Sequence, residues 1–316
     1  MTQLALWLMR ALHWLPLPLL RALGSGLGAL LHCFASRRRR VAEINLKLCF
    51  PQLHDAERAA LVRAVFRAFG QSVVDRAFLW HSSAECIRER IQLAGEAHLE
   101  RLCGPFAGSA GSGNKSDANG TTAASSPGAE DAPNMQAVIL LAPHFVGMDA
   151  AWTRLTLLRP MAGTYARQTN PAFDAALYAG RTRFGGLALA RQDGVRATVR
   201  ELKNGLPFYT LPDMDFGARD AVFAPFFGVP AATITAMSRL ARLTGARVLP
   251  VVTRMTAEGY TVTIHPPWEA YPGASDEDDA RRMNAFIEGE VRQNLAQYHW
   301  LHKRFKTRPV GEPGLY

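Results

Sequence analysis

Ala137-Val-Ile-Leu-Leu-Ala142, followed at once by Pro143-His-Phe-Val-Gly-Met-Asp149, is the stretch on which the reading of this chain turns. Its first six residues are apolar without alternation, as expected of a strand buried on both faces of a parallel or mixed sheet. Proline and glycine then interrupt the run, so a turn leading into a helix is expected, with His144 just beyond the carboxyl end of the strand. In open α/β sheets that end is where ligands bind. Asp149 follows five residues later. On one continuous helix that spacing separates two side chains by about 140°, so the pair meets only if His144 lies in the turn and Asp149 in the first turns of the helix. A carboxylate bonded to one ring nitrogen fixes the imidazole tautomer and raises the basicity of the other nitrogen, giving a general base able to take a proton from a hydroxyl. On position alone, a histidine at a strand end is as readily a satisfied structural residue; the blocks around it decide.

Downstream, strand and helix signals alternate. Gly186–Arg191 reads as a strand, Gly194–Asn204 as a helix, Leu206–Leu211 as a strand and Ile234–Thr244 as a helix. Arg247–Arg254 and Tyr260–Ile264 read as strands, and Asp276–Gln297 as a long helix. The fold class is therefore α/β, a mixed central sheet flanked by helices. Residues 135–316 form its core and carry a basic carboxyl-terminal tail.

Upstream, Gly104–Asn134 is almost wholly Gly, Ala, Ser, Thr, Asn, Asp and Pro. Such a segment cannot bury enough apolar surface to offset its ordering entropy, and it is expected to be a disordered insertion. Asp55–Trp80 carries apolar residues at Leu61, Val65, Phe69, Val73 and Phe78, the spacing of an amphipathic helix, with Arg58, Arg63 and Arg67 on its other face. It belongs to a basic linker and helical part over 37–103. Residues 1–36 are largely apolar, yet Arg10, Arg21, Pro16 and Pro18 interrupt them. A helical membrane anchor is expected there, either spanning the bilayer or lying in its interface. Arg37–Arg40 would then face the cytoplasm and anionic headgroups.

The 316 residues include 36 Lys and Arg against 27 Asp and Glu, a formal net charge of +9, which calls for an anionic partner. With 48% hydrophobic and 20% charged residues the chain is neither disordered overall nor polytopic. The four cysteines form no CxxC pair, so neither a disulfide framework nor a structural metal is indicated, and a reducing compartment fits.

Further blocks follow the His144 segment in order: Tyr165-Ala-Arg-Gln-Thr-Asn-Pro171, Arg181-Thr-Arg183, Arg191-Gln-Asp-Gly194, Leu211-Pro-Asp-Met-Asp-Phe-Gly217, Ala224-Pro-Phe-Phe-Gly-Val229 and His302-Lys-Arg-Phe-Lys-Thr-Arg-Pro309. With His144 and Asp149, this series resembles the late acyltransferases of lipid A biosynthesis, the lauroyl and myristoyl transferases of Gram-negative bacteria, themselves similar to glycerophospholipid and lysophospholipid acyltransferases. The resemblance runs from the arginine run through Asn45–Pro51 to the carboxyl terminus, leaving out the low-complexity insertion. It implies a glycerolipid-acyltransferase-like fold and transfer of an acyl chain from acyl carrier protein to a hydroxyl of an acyl chain on a Kdo-bearing lipid A precursor. The site implied is the cytoplasmic face of the inner membrane, with no cofactor and no nucleic acid involved. His144 would deprotonate the hydroxyl and Asp149 would orient His144. Many members have Glu where this chain has Asp149, so the carboxylate is kept and its reach is one methylene shorter.

Other residues have physical readings beside the inherited one. Arg167, Arg181, Arg183 and Arg191 suit phosphate, on the lipid or on the carrier's phosphopantetheine, or serve as surface salt-bridge partners. Arg219 is a further phosphate candidate. Asn170-Pro171 sets a turn or touches substrate. Asp213 and Asp215 would position those arginines or bond to substrate sugar. Phe223–Val229 lines an acyl groove or packs the core. Gly24-Ser-Gly26-Leu-Gly28 lacks a phosphate loop's Lys-Ser or Lys-Thr ending, His299 and His302 lack further metal ligands, and no G-x-S-x-G elbow is present. The absence of an obvious nucleophile fits direct attack by the acceptor hydroxyl on the thioester. The alternatives are an acyltransferase for another glycolipid or a lysophospholipid, a non-catalytic membrane lipid-binding homologue, and a thioesterase delivering the acyl group to water.

Overall fold

The apolar run predicts a strand buried on both faces, and Val138–Leu141 is one: all four residues are buried. The computed structural model describes residues 2–105, 136–190 and 194–316. The insertion expected over 104–134 therefore lies almost entirely outside the described residues. The chain opens with α1 (Thr2–Leu12), α2 (Leu17–Phe34), α3 (Ser36–Cys49), α4 (Asp55–His81) and α5 (Ala84–Arg90). Then come β1 (Ile91–Ala94), α6 (Glu96–Cys103), β2 (Val138–Leu141), α7 (Met148–Leu158), β3 (Met161–Tyr165), α8 (Pro171–Thr182) and β4 (Gly186–Ala190). The last part is α9 (Gly194–Lys203), β5 (Phe208–Thr210), β6 (Ala221–Phe226), β7 (Val229–Ile234), α10 (Ala236–Thr244), β8 (Arg247–Met255), β9 (Tyr260–Ile264) and α11 (Asp276–Gln293).

Seven strands form a mixed sheet in the order β1-β9-β8-β2-β5-β3-β4, parallel throughout except for the β8–β9 pair. β2 is central, and its alternate residues feed two cores. Ile139 and Leu141 join Val65 and Phe66 of α4, Met237 and Leu240 of α10 and Ile287 of α11. Val138 and Leu140 join Leu20 of α2, Phe78 of α4, Ala151 and Leu155 of α7 and Leu177 of α8. Helices on both faces explain why β2 carries no polar alternation.

Several boundaries moved. Ile234, expected in a helix, ends β7. The hairpin of β6 and β7 turns at Phe227 and Gly228, both with positive φ, as a two-residue primed turn requires. The last long helix stops at Gln293 and gives way to a single 3-10 turn over Leu295–Gln297.

Residues 1–36 form two helices rather than one. Pro16 and Pro18 bracket the start of α2, where proline is tolerated because the first N–H groups have no helical partner. One face of α2 lies on α4 at backbone contact. A Cβ on Gly28 would stand 2.4 Å from the Phe66 carbonyl oxygen, and one on Gly24 2.5 Å from Gln71 Cα. The Gly24 to Gly28 spacing is thus a close helix crossing of the small-residue kind. Arg21 on the same face is ion-paired at 3.1 Å with the fully buried Asp75, which also accepts from Tyr260 Oη at 2.6 Å. Arg37–Arg40 are not a linker: they open α3, where Arg38 donates to the Leu301 carbonyl at 3.0 Å and Arg39 to that of His32 at 2.8 Å.

Candidate active site

The site is set by strand register. Leu141 of β2 pairs with Thr210 of β5 in a parallel ladder, and His144 and Asp213 each follow three residues later. Both strands stop at the same height, so the two side chains emerge together. His144 Nδ1 meets Asp213 Oδ1 at 2.6 Å, and the His144 backbone N–H donates to Oδ2 at 2.9 Å. Tyr298 Oη, also buried, donates to the same Oδ2 at 2.9 Å. Burial works against the charge of Asp213, but His144, through its charge and two hydrogen bonds, outweighs it and holds the carboxyl well below the usual carboxylate range. An ionised carboxylate only accepts, so the ring proton stays on Nδ1 and the lone pair belongs to Nε2. The His144 side chain keeps 12% of its surface exposed, whereas Asp213 has none.

Asp149 does not orient His144, which corrects the expectation built on their spacing. It sits in the first turn of α7, buried, between two guanidiniums: Arg76 Nη2 at 2.9 Å from Oδ2 and Arg181 Nη2 at 2.7 Å from Oδ1. Burial again opposes its charge, and Arg181 and Arg76 together hold it well below the usual range. The turn 143–147 carries α7 away from His144. Gly147 permits that path, because a Cβ there would come within 2.6 Å of Thr253 and 2.9 Å of Tyr260. Two guanidiniums, from α4 and α8, against the one carboxylate of α7 leave a net positive charge beside the first turn of that helix.

Arg181 is thus the one arginine of the expected phosphate set that the structure ties to Asp149. Arg183 instead donates to the carbonyls of Leu79 and Ser82 at the carboxyl end of α4. Arg167 and Arg219 are exposed, with no ion pair to another described residue. Arg191 lies outside the described residues. Asn170 caps α8, its Oδ1 accepting from Phe173 N at 3.0 Å with Pro171 in the first turn, and its Nδ2 donates to Thr2 Oγ1 at 3.0 Å. Neither Asp213 nor Asp215 is ion-paired with a described arginine of that set. Asp215 fastens the tail, accepting from Thr307 N at 2.6 Å and Thr307 Oγ1 at 2.8 Å. Phe226 is fully buried against Tyr298 and Phe305, so it packs the core, while Phe223 is partly exposed.

Sequence reading missed four contributors. Arg76 carried a signal, a charge among the apolar residues of the last turns of α4. Tyr298 carried none. His299 has only the metal-ligand reading in the sequence, and His302 has that reading and a place in the tail block that carries the resemblance, neither of which points to a neighbour of His144. His302 lies 6.1 Å from His144, ring centre to ring centre, and stacks on His299 at 5.6 Å. Its Nδ1 donates to the His299 carbonyl at 2.7 Å, and burial together with the charge of His144 pushes it down to about 4. Asn45 holds this segment in place, its Nδ2 donating to the carbonyls of Trp300 and His302, both at 2.8 Å. At the carboxyl ends of β3 to β5, beside Asp149, a small cleft of about 30 Å³ is lined mainly by apolar groups, including Met148, Trp152, Tyr165, Ala188 and Leu211.

The family profile described as bacterial lipid A biosynthesis acyltransferase matches residues 1–103 and 130–307. The chain is 32% identical over 308 residues to a lipid A biosynthesis palmitoleoyltransferase of Escherichia coli, covering 96% of this chain and 90% of that protein. It is 30% identical to a lipid A biosynthesis lauroyltransferase of the same organism, covering 98% and 94%, and 32% identical to a lipid A biosynthesis myristoyltransferase, covering 93% and 82%.

Proposed function

Because the chain belongs to the family of bacterial lipid A biosynthesis acyltransferases, we propose that it moves a fatty acyl chain from an acyl carrier protein thioester to a hydroxyl of an acyl chain on a Kdo-bearing lipid A precursor. The observation that supports this chemistry is the buried Asp213 carboxylate 2.6 Å from His144 Nδ1. His144 Nε2 takes the hydroxyl proton as the oxygen attacks the thioester carbonyl. The imidazolium that forms is stabilised by Asp213, and its proton goes to the leaving thiolate of the carrier's phosphopantetheine. The tetrahedral intermediate carries a negative oxygen, and the surplus positive charge of Arg76 and Arg181 is placed to oppose it.

The bilayer seat follows from α1 and α2. Leu4, Trp7, Leu8 and Trp14 are exposed on and just after α1, and Leu19, Leu23 and Leu30 on the face of α2 turned away from α4. A helix held to the protein body along one side and apolar along the other suits a seat in the membrane interface. With a net charge of +9, the chain meets two anionic clients on the cytoplasmic face, the phosphorylated acceptor and the acidic carrier.

The test mixes detergent-purified protein with carrier proteins bearing saturated chains of increasing length and with a Kdo-bearing tetra-acylated precursor, and follows products by mass spectrometry. One added chain, absent with His144→Ala, is the expected result. Carrier thioester consumed without lipid acylation would replace transfer with hydrolysis. A product formed only on a glycolipid or lysophospholipid other than the precursor would move the acceptor.

A further inference from the structure

A second basic site lies outside the His144 centre. Where α1 crosses the end of α4, a groove of about 580 Å³ is lined by Trp7, Arg10, His13, Trp14, His81 and Arg183, with Trp80 among its walls. Among the described residues no carboxylate lines it. The imidazoles of His13 and His81 are 5.9 Å apart, and His13 packs on Trp14 at 4.5 Å. Arg183 is fixed with its guanidinium on the carboxyl end of α4, and Arg10 has no ion pair with a described residue. The cations press on one another: after burial, the charges of His13, Arg10 and Arg183 all make protonation of His81 harder. Gathered cations without a counter-ion call for an anion.

The position says which anion. Trp7 and Trp14 are 66% and 82% exposed and belong to the same apolar surface as Leu4 and Leu8. Indole rings at the edge of an apolar face mark the headgroup level of a bilayer, where Arg meets phosphate in paired hydrogen bonds. We propose that this groove binds the phosphate of an anionic glycerophospholipid of the host bilayer, with Arg10, His13 and Arg183 around the phosphate and Trp7 and Trp14 against the glycerol and upper acyl chain. The inference rests on the membrane seat proposed above. The helix that lines the groove, α1, also meets α8, the helix that carries Arg181, through the hydrogen bond from Asn170 Nδ2 to Thr2 Oγ1.

Flotation of the full chain with vesicles separates the two readings. Phosphatidylcholine vesicles test the apolar seat; vesicles of which about a third is phosphatidylglycerol test the groove, with one surface cation worth about a fivefold change in binding. Wild type is expected on both, and more tightly on the anionic ones. Arg10→Gln should remove about fivefold of that preference, and His13→Gln a smaller part of it through a lost hydrogen-bond donor, while both leave binding to phosphatidylcholine and circular dichroism unchanged. Absence from both vesicles would sink the membrane seat and the groove with it. Binding to both with undiminished preference in the variants, and its loss on neutralising Arg37 and Arg40, would overturn the groove alone. A monomeric short-chain phosphatidylglycerol should raise the Tm of wild type and not of Arg10→Gln. Equal protection by inorganic phosphate would overturn the lipid assignment. A raised KM for the lipid A precursor in Arg10→Gln, with no change in vesicle preference, would assign the groove to the acceptor's own phosphate.

Discussion

Asp213 and Asp149 are both buried carboxylates held ionised, both within a few residues of the carboxyl end of a central strand, and they do opposite work. Asp213 faces an imidazole, a phenol and a backbone N–H, so its charge is spent on orienting one titratable ring. Asp149 faces two permanent cations and can orient nothing that titrates near neutrality. A carboxylate's role here is fixed by what it touches, not by its spacing from the histidine.

The largest expected effect separates the two. Asp213→Asn keeps the shape but offers an amide where Nδ1–H needs an acceptor of charge. The rate of acyl transfer should fall by about 10³- to 10⁴-fold in protein that circular dichroism shows to be folded, with a lowered Tm because the ionised carboxylate no longer adds its stability. If Asp149→Asn gave that same fall at unchanged Tm, the contrast would be gone and Asp149 would rejoin the proton-transfer machinery. The expected result for Asp149→Ala is mainly a stability loss. Two guanidiniums left without their counter-ion cost about 3–5 kcal/mol, read as a lower midpoint in denaturant. Asp149→Glu should recover most of it.

The neighbouring imidazole sharpens the comparison through pH. His302 is held near 4 in the folded chain and titrates near 6.5 when unfolded. Between those values the unfolded state binds the proton, so stability rises with pH across that window, by about 3 kcal/mol for this group alone. Asp213 and Asp149 act lower: their depressed values add stability above pH of about 4, which is lost as the pH falls further. A His302→Asn variant should flatten the melting profile from pH 6.5 down to 4.5 while leaving the steeper acid limb, and an unflattened profile would remove His302 from this account. The smallest effect is expected at Arg219, exposed on the loop before β6. Arg219→Ala should change stability by less than about 0.5 kcal/mol, so any large rise in KM there would show direct contact with substrate phosphate.

Much of the fold was legible because its signals are local. The apolar run of β2 reports burial on both faces within six residues, and the apolar spacing along Asp55–Trp80 gives α4 to within a residue. What escaped were short strands such as Met161–Tyr165, whose Gly and Thr carry little strand signal, and the hairpin at Phe227-Gly228, where a phenylalanine takes the positive φ that composition assigns to glycine. The glycines of α2 were legible as small residues, but their use, a backbone crossing with α4, needs the partner helix to be in place.

The sequence alone determined where the site lies, because a histidine following an apolar buried strand must emerge at the carboxyl edge of the sheet. It also determined the chemistry on offer, a base flanked by arginines and carboxylates. Only the tertiary structure decided which carboxylate meets the histidine. Asp213 is 69 residues from His144, and the two are brought together by the pairing of Leu141 with Thr210 in adjacent parallel strands. Local spacing is blind to that register, since it is set by hydrogen bonds between segments joined through three helices and two other strands.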